Sequence, residues 1–271
     1  MNFKSFLLII FAFINSPVLL HASINDYIYP KRNPSYSNYG TVGLIQMPSA
    51  RFQNEGAVGF SWSNHDPYLR GSIIAYPFDW MEAVYSYTDI NNALYSNVES
   101  FSGNQSYKDK GFDLKLRVLK ESQFMPNVAI GLRDLAGSNN FEAEYIVASK
   151  LVGNLDFTFG VGWGDLSHGG YKNPFTTIFS SLNTRDLTQD GQGGELTSDR
   201  YFSGNIGFFA GAEIFLPNTN GLRLKIEYDS TNYLDEAFAR GREASNFAFE
   251  RSKDADSRIN LGLTYPLTKN F

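Results

Sequence analysis

Short runs of alternating apolar and polar residues recur between Ala57 and Leu267, separated by turns rich in glycine, asparagine and proline or by long polar stretches. In Leu222–Asp229, the residues Leu222, Leu224, Ile226 and Tyr228 alternate with Arg223, Lys225, Glu227 and Asp229. Phe112–Val118 repeats the pattern, with Phe112, Leu114, Leu116 and Val118 set against Asp113, Lys115 and Arg117. Successive side chains of a strand point to opposite faces, so each run has one apolar and one polar face. A sandwich of two sheets turns its apolar faces inward to a shared core. A transmembrane barrel turns them outward to lipid and keeps the polar face in its lumen.

The pattern predicts about ten strands, up to twelve. Val58, Phe60 and Trp62 give the first apolar face, and Leu69–Tyr76 is the second strand, its facing left open by the pattern. The third sets Met81, Ala83, Tyr85 and Tyr87 against Glu82, Ser86 and Thr88, and the fourth is Phe112–Val118. The fifth turns Val128, Ile130 and Leu132 outward and Arg133 inward; the sixth turns Phe141, Ala143, Tyr145 and Val147 outward and Glu142, Glu144 and Lys150 inward. The seventh alternates Leu155, Phe157, Phe159, Val161 and Trp163 with Asp156, Thr158 and glycines, and the eighth carries Ile206, Phe208, Ala210, Ala212, Ile214 and Leu216 opposite Glu213. Leu222–Asp229 is the ninth, and Ile259, Leu261, Leu263, Tyr265 and Leu267 mark the tenth, opposite Arg258. Connections alternate in length. Pro77–Trp80, Lys120–Pro126, Leu151–Asn154 and Pro217–Gly221 are tight, whereas Asp89–Lys110, Asp165–Phe202 and Ser230–Asp256 are long, with Asn64–Tyr68 and Asp134–Asn140 short to moderate on the same side. Short periplasmic turns with longer outer loops are a property of outer-membrane barrels. The expectation is therefore an all-β, antiparallel transmembrane β-barrel with a periplasmic N-terminus.

Residues 1–22 have the form of a secretory signal peptide, with Lys4 ahead of the apolar run Phe6–Ile14. Residues 23–40 read as a polar periplasmic lead-in and 41–271 as the barrel, with Thr41–Gln46 either a first short strand or a tucked segment. A charge of −5 without a basic stripe gives no footprint for nucleic acid. The absence of cysteine excludes disulfides, thiolate sites and an acylated cysteine. Leu234–Phe249 has helical spacing in places and reads as a short surface helix within an outer loop.

The segment GTVGLIQMPSARFQNEGAVGFSWSNHDPYLRGSIIAYPFDWMEAVYSYTDI, residues 40–90, resembles the start of the YjbH-like family of outer-membrane proteins associated with exopolysaccharide and capsule production. The resemblance is carried by the Gly40–Arg51 turn, the glycine-led strand Gly56–Ser63, the turn Pro77-Phe78-Asp79-Trp80 and the strand end Tyr85–Asp89; the later strands, ending INLGLTYPLTKNF, fit more loosely. It implies a barrel acting in export or surface handling of a secreted polysaccharide. Members of the family run longer and many carry a lipidated cysteine, so this chain reads as a first barrel region alone. Phe271 shares the parity of Ile259, Leu261, Leu263, Tyr265 and Leu267, as a closing strand would, but Lys269 and Pro266 break the series, so the favoured reading is a chain that stops at the start of a further strand.

No catalytic or metal-binding signature emerges. His65 and His168 lack ligand spacing, the glycines around Trp163 sit in an alternating strand with no helix after them, and Asp190–Glu195 lacks the spacing of a calcium loop. The lumen-facing polar candidates are Asp113, Lys115, Arg117, Arg133, Glu142, Glu144, Arg223, Lys225, Glu227, Asp229 and Arg258. Acids and bases interleave on neighbouring strands, so cross-strand ion pairs filling a narrow barrel are the favoured reading, ahead of a polar conduit or glycan-binding surface. The expected function is a non-enzymatic component of exopolysaccharide or capsule export, without cofactor. Its expected partners are outer-membrane lipid, polysaccharide-export proteins and polysaccharide. The alternative is a glycan-modifying or hydrolytic enzyme with its site in the lumen or at the outer rim.

Overall fold

The computed structural model describes residues 33–96, 98–135, 140–185, 200–233 and 254–267. The signal segment, the helical stretch Leu234–Phe249, the Asp190–Glu195 loop and residues 268–271 lie outside them.

Ten strands form one sheet in chain order: β1 (Val58–His65), β2 (Tyr68–Phe78), β3 (Met81–Leu94), β4 (Ser106–Leu119), β5 (Asn127–Arg133), β6 (Ala143–Val152), β7 (Leu155–Gly162), β8 (Gly207–Phe215), β9 (Arg223–Tyr228) and β10 (Ile259–Thr264). Every neighbouring pair is antiparallel. The described helices are single turns, such as α1 (Glu99–Ser102), and none is long and apolar enough to cross a membrane. The near end of the sheet carries the turns 79–80, 120–126, 153–154 and 216–222; the far end carries 66–67 and the described parts of the connections between β3 and β4, β5 and β6, β7 and β8, and β9 and β10.

The expected loop Asp89–Lys110 is largely ladder. β3 runs on to Leu94 and β4 begins at Ser106, leaving 95–105 as the connection. The polar cross-strand pair Asp89–Lys108, with Ser106 donating to Asp89 at 2.5 Å, carries the hairpin past the alternating pattern. Backbone pairing needs no apolar face, so periodicity understates such an extension.

The register fixes which side chains share a face. Leu224 stands between Leu263 and Ile214, while Lys225 stands between Gly262 and Glu213. Phe157, Phe159, Leu224, Ile226, Leu261 and Leu263 are exposed, and Leu114 and Leu116 share their face at half-burial. The opposite face carries Lys115, Arg133, Asp156, Glu213, Arg223, Lys225 and Glu227, all buried.

What buries them is the chain itself. Thr41–Gln46 is a tucked segment, not a ladder strand; only isolated bridges, Tyr36 to Val42 and Gly43 to Pro48, occur there. Residues 33–52 lie against the charged face. Val42, Leu44, Met47, Ala50 and Phe52 form a core with Ile74, Tyr76, Val84, Ala129, Tyr145, Val147, Leu166 and Phe209. One short segment meets strands from Tyr36 beside Gly59 on β1 to Ile45 beside Gly262 on β10. The sheet therefore curls round it.

β6 reverses the expected facing. Tyr145 pairs with Gly131 and Gly162, and Val147 with Ala129 and Gly160, so both point inward to the core. Glu144 lies opposite outward Leu132, and Glu142 shares its parity. Neither carboxylate is on the inner face. The inner face of β6 is dry because residues 42–52 cover it, and the outer carboxylates are met by Arg185 from the 163–206 connection.

Gly160 shows how closely the interior is filled. It faces inward on β7, and a Cβ built there would lie 2.1 Å from Cζ of the fully buried Phe209. Overpacking a filled site forces side chains and backbone to shift. Gly160→Ala is expected to destabilise the protein by about 1–3 kcal/mol, read as a lower denaturant midpoint.

Candidate functional site

The candidate site is the interior between the sheet and residues 33–52. The inner segment has little regular structure, so its backbone N–H and C=O groups need partners other than a ladder. Turns within the segment supply some, such as the Leu44 N–H to the Met47 carbonyl at 2.8 Å and the Ser49 N–H to the Val42 carbonyl at 3.2 Å, and the wall supplies others through ionised side chains. Glu227 on β9 accepts from the N–H of Ile45 at 2.8 Å, Gln46 at 2.8 Å and Met47 at 3.2 Å. Two residues earlier on the same face, Lys225 donates to the carbonyls of Gly43 at 3.0 Å and Leu44 at 2.6 Å. Across the interior, Lys115 on β4 donates to the carbonyls of Val42 at 3.1 Å and Arg51 at 3.0 Å, and pairs with Glu82 at 3.0 Å. Glu82 accepts from Thr41 Oγ1, from the Val42 N–H at 3.2 Å and from the Tyr76 hydroxyl at 2.8 Å.

At the near end, Arg51 is clasped by two carboxylates. Its Nη2 lies 2.7 Å from Asp156 on β7, and Nη1 meets Glu121 in the 120–126 turn. Burial opposes the Arg51 charge, but Asp156 and Glu121 outweigh it and hold the guanidinium protonated above its ordinary range. Burial pushes the Glu121 carboxyl up, but the hydrogen bond and charge of Arg51 hold it below its ordinary value. Next to this clasp, a cavity of about 120 Å³ is bordered by Ser35, Leu44, Asp156, Thr158 and Glu213.

At the far end, Tyr39 wedges the tip of the segment between guanidiniums. Arg133 lies 3.6 Å and Arg70 4.0 Å from its ring centroid, and Phe141 meets it edge-on. Arg133 also reaches Asp165 at 3.4 Å. Asp113 accepts from the Asp134 N–H at 2.8 Å, and Asp134 adopts φ 52, in the left-handed region disfavoured for a side chain with a Cβ. Burial first, then Asp109, pushes the Asp134 carboxyl well up.

The remaining sequence candidates have local duties. Arg223 pairs with Glu213 at 3.2 Å. Arg117 reaches Asp79 at 3.5 Å and covers the Phe52 ring at 4.5 Å. Asp229, just past β9, accepts from the Tyr233 hydroxyl at 2.7 Å and the Thr231 N–H at 2.8 Å, while Arg258 caps the Thr231 carbonyl and pairs with Asp254. Glu142 and Glu144, on the outer face, hold Arg185, with Nη1 2.7 Å from Glu144; the Phe202 N–H also donates to Glu144, at 2.9 Å. The candidates therefore fall into an inner set bound to residues 33–52, rim residues at both ends, and an outer clamp on the 163–206 connection.

Sequence reasoning missed the inner segment as the organising partner, and with it Arg70, Glu82 and Arg51. Glu82 and Asp156 were visible as polar positions on alternating strands, but periodicity does not reveal what a polar face touches. Arg51, inside a Pro- and polar-rich stretch, carries no periodic signal.

The model of a family described as "Exopolysaccharide biosynthesis protein YbjH" matches residues 35–271. The chain is 40% identical over 236 residues to "Uncharacterized lipoprotein YjbH" of Escherichia coli (strain K12), an alignment covering 87% of this chain and 32% of that protein. The chain thus spans about a third of the length of that relative. No solved structure matches.

Glu227→Ala leaves three buried N–H groups without an acceptor and is expected to cost roughly 3 kcal/mol or more. Glu227→Gln, which keeps an acceptor oxygen, should cost clearly less. Denaturant unfolding of both variants checks this, with release of residues 33–52 to protease as the local readout. The near-end clasp gives a pH dependence. Because the folded Glu121 carboxyl is held low, its contribution is complete above the ordinary carboxylate value of about 4.3 and is lost as pH falls through the lower folded value. Thermal unfolding between neutral and acidic pH should show this loss, and Glu121→Gln should remove that part of the slope.

Proposed function

The chain belongs to the YjbH family of exopolysaccharide biosynthesis proteins, and from that membership and the disposition of its faces we propose that it forms a filled, non-enzymatic outer-membrane barrel region serving exopolysaccharide or capsule export. The observation that carries the reading is the inversion of the sheet. Charged residues such as Lys115, Lys225 and Glu227 are buried within the curl, while Phe60, Trp62, Phe159, Leu261 and Leu263 face out exposed. In water such an exterior is a liability; in lipid it is the expected surface. The division of turns supports an orientation with the near end in the periplasm and the connections 163–206 and 229–258 outside. The interior carboxylates are engaged by cations, backbone N–H groups or hydroxyls, which favours a structural role over turnover of a glycan. The relative's name, a lipoprotein, agrees with membrane association. The exposed strand faces supply a membrane-contacting surface within this chain itself.

Leu224→Arg or Ile226→Arg, placing a charge on the outward face, should oppose insertion into lipid vesicles by about 2–4 kcal/mol near the midplane, while Arg223→Leu on the inner face should leave insertion intact. Loss of the gene should lower secreted or surface polysaccharide; an unchanged amount sinks the export role. Purified chain in planar bilayers should show little conductance, and a large stable current would contradict the filled interior.

A further inference from the structure

Among the described residues the two outermost strands each lack a second neighbour. Among the described residues β1 pairs with β2 alone and β10 with β9 alone. Exposure agrees with this pairing. Outward Val58, Phe60 and Trp62 on β1 are 75%, 67% and 64% exposed, and Leu261 and Leu263 on β10 are 76% and 70% exposed. Leu224 and Ile226 on β9, flanked on both sides, are 37% and 41% exposed. A side chain inside a sheet is shielded from both neighbouring strands, and one at an edge from one only. Outward side chains on strands with two neighbours are in the main less exposed, with Phe157 at 40% and Phe159 at 41%; Ile73 on β2, at 54%, and Ile259 on β10, at 51%, make the contrast one of degree.

The inner segment reports the same gap from behind. Within residues 41–50, Ile45 alone is not fully buried, and it rests on β10, where a Cβ at Gly262 would lie 3.0 Å from its Cδ1. A seam therefore runs between β1 and β10 with Ile45 behind it. Unpaired edges invite another strand, and in lipid their N–H and C=O groups have no water to turn to.

We propose that the β1–β10 seam is a strand-accepting site, taking an antiparallel β-hairpin supplied by polypeptide outside residues 33–267. β1 leaves the near end and β10 returns to it, so the two edges run in opposite directions. A single inserted strand would lie parallel to one of them, whereas a hairpin is antiparallel to both. Its strands match 8 residues of β1 and 6 of β10. Its outward positions are apolar, continuing the rows of Trp62 and Leu261. Its inward positions are small or polar, beside Ser61, Ser63, Asn260 and Thr264. In the Escherichia coli relative about two thirds of the protein lies outside the matched region, so such a chain is long enough to carry the hairpin itself.

The chain contains no cysteine, so introduced thiols are unique. In the full chain, refolded in detergent micelles, Ser61→Cys or Ser63→Cys is combined with Asn260→Cys or Thr264→Cys and oxidised. Ser61→Cys with Ser72→Cys, directly opposite on β2, is the control. The control is expected to cross-link and the seam pairs are not. A seam pair that cross-links within one chain as readily as the control shows that the wall closes on itself and overturns the proposal. Cross-links between two chains make the seam a self-association surface and overturn it equally. In a second arm a copy of residues 57–78, the chain's own β1–β2 hairpin, is appended after Phe271 as the probe. The β1 amides not bonded to β2 should then exchange with deuterium more slowly, on the order of tenfold or more. Unchanged exchange overturns the proposal.

Discussion

A buried backbone that forms neither helix nor strand must find hydrogen-bond partners one by one, and residues 41–51 of this protein meet that demand partly in their own turns, as from the Leu44 N–H to the Met47 carbonyl, and partly from the wall around them. An unmet N–H or C=O away from water costs on the order of a lost hydrogen bond each. Glu227 takes three N–H groups, Lys225 two carbonyls and Lys115 two more. Ionised partners form the stronger hydrogen bonds, and one carboxylate or ammonium serves several backbone groups at once. Burying those charges is costly by itself. The pairing Lys115–Glu82 and the succession Glu213, Lys225, Glu227 limit the cost by keeping opposite charges adjacent. Segment and wall are therefore mutually dependent: the segment desolvates the charges, and the charges complete the hydrogen bonding that its own turns and isolated bridges begin.

That dependence decides what the interior polar residues mean. Arranged round empty space, the same residues would suggest a hydrated conduit. Here their atoms are directed at a particular stretch of the chain, and the glycines on the inner face make room for its neighbours. Gly160 lies under Phe209, and Gly131 lies under Tyr145, where a Cβ would come within 2.0 Å of Cζ. The volume is filled by apolar side chains as well as charges, which makes it a core as much as a lumen.

Sequence legibility follows the same division. β4, β9 and β10 face solvent or lipid on one side and the charged interior on the other, so their alternation states their facing directly. β6 is different. Phe141, Ala143, Tyr145 and Val147 look like an outward row, yet they point at the inner segment, and Glu142 and Glu144 point out to Arg185. A strand covered on both faces no longer has its polarity fixed by water, and alternation then shows that two faces exist without showing which is which. The inner segment has no period at all. Its clues, a run of small and apolar residues ending in Pro48 and Arg51, acquire meaning only beside the strands they touch.

The placement of the segment also constrains any transport reading. Its two ends lie at the same end of the sheet: Gln53 donates to the Pro34 carbonyl at 2.7 Å, Ser35 donates to Glu213, and Arg51 is clasped by Asp156 and Glu121. Tyr39, between them in sequence, reaches the far end. The segment is thus a doubled-back insert, and its displacement toward the near end would require no threading. Such a displacement would expose Lys115, Lys225, Glu82 and Glu227 together and strip them of their partners in the segment, leaving wall contacts such as Lys115–Glu82, so water would have to enter as the segment left. Opening would exchange protein–protein for protein–water hydrogen bonds, a small net change per bond. The apolar contacts of Val42, Leu44, Met47 and Phe52 would be lost with no such return, at about 25 cal/mol per Å² of apolar surface uncovered. The interior charges hold the insert in register, and the apolar side chains between them set most of the resistance to its removal.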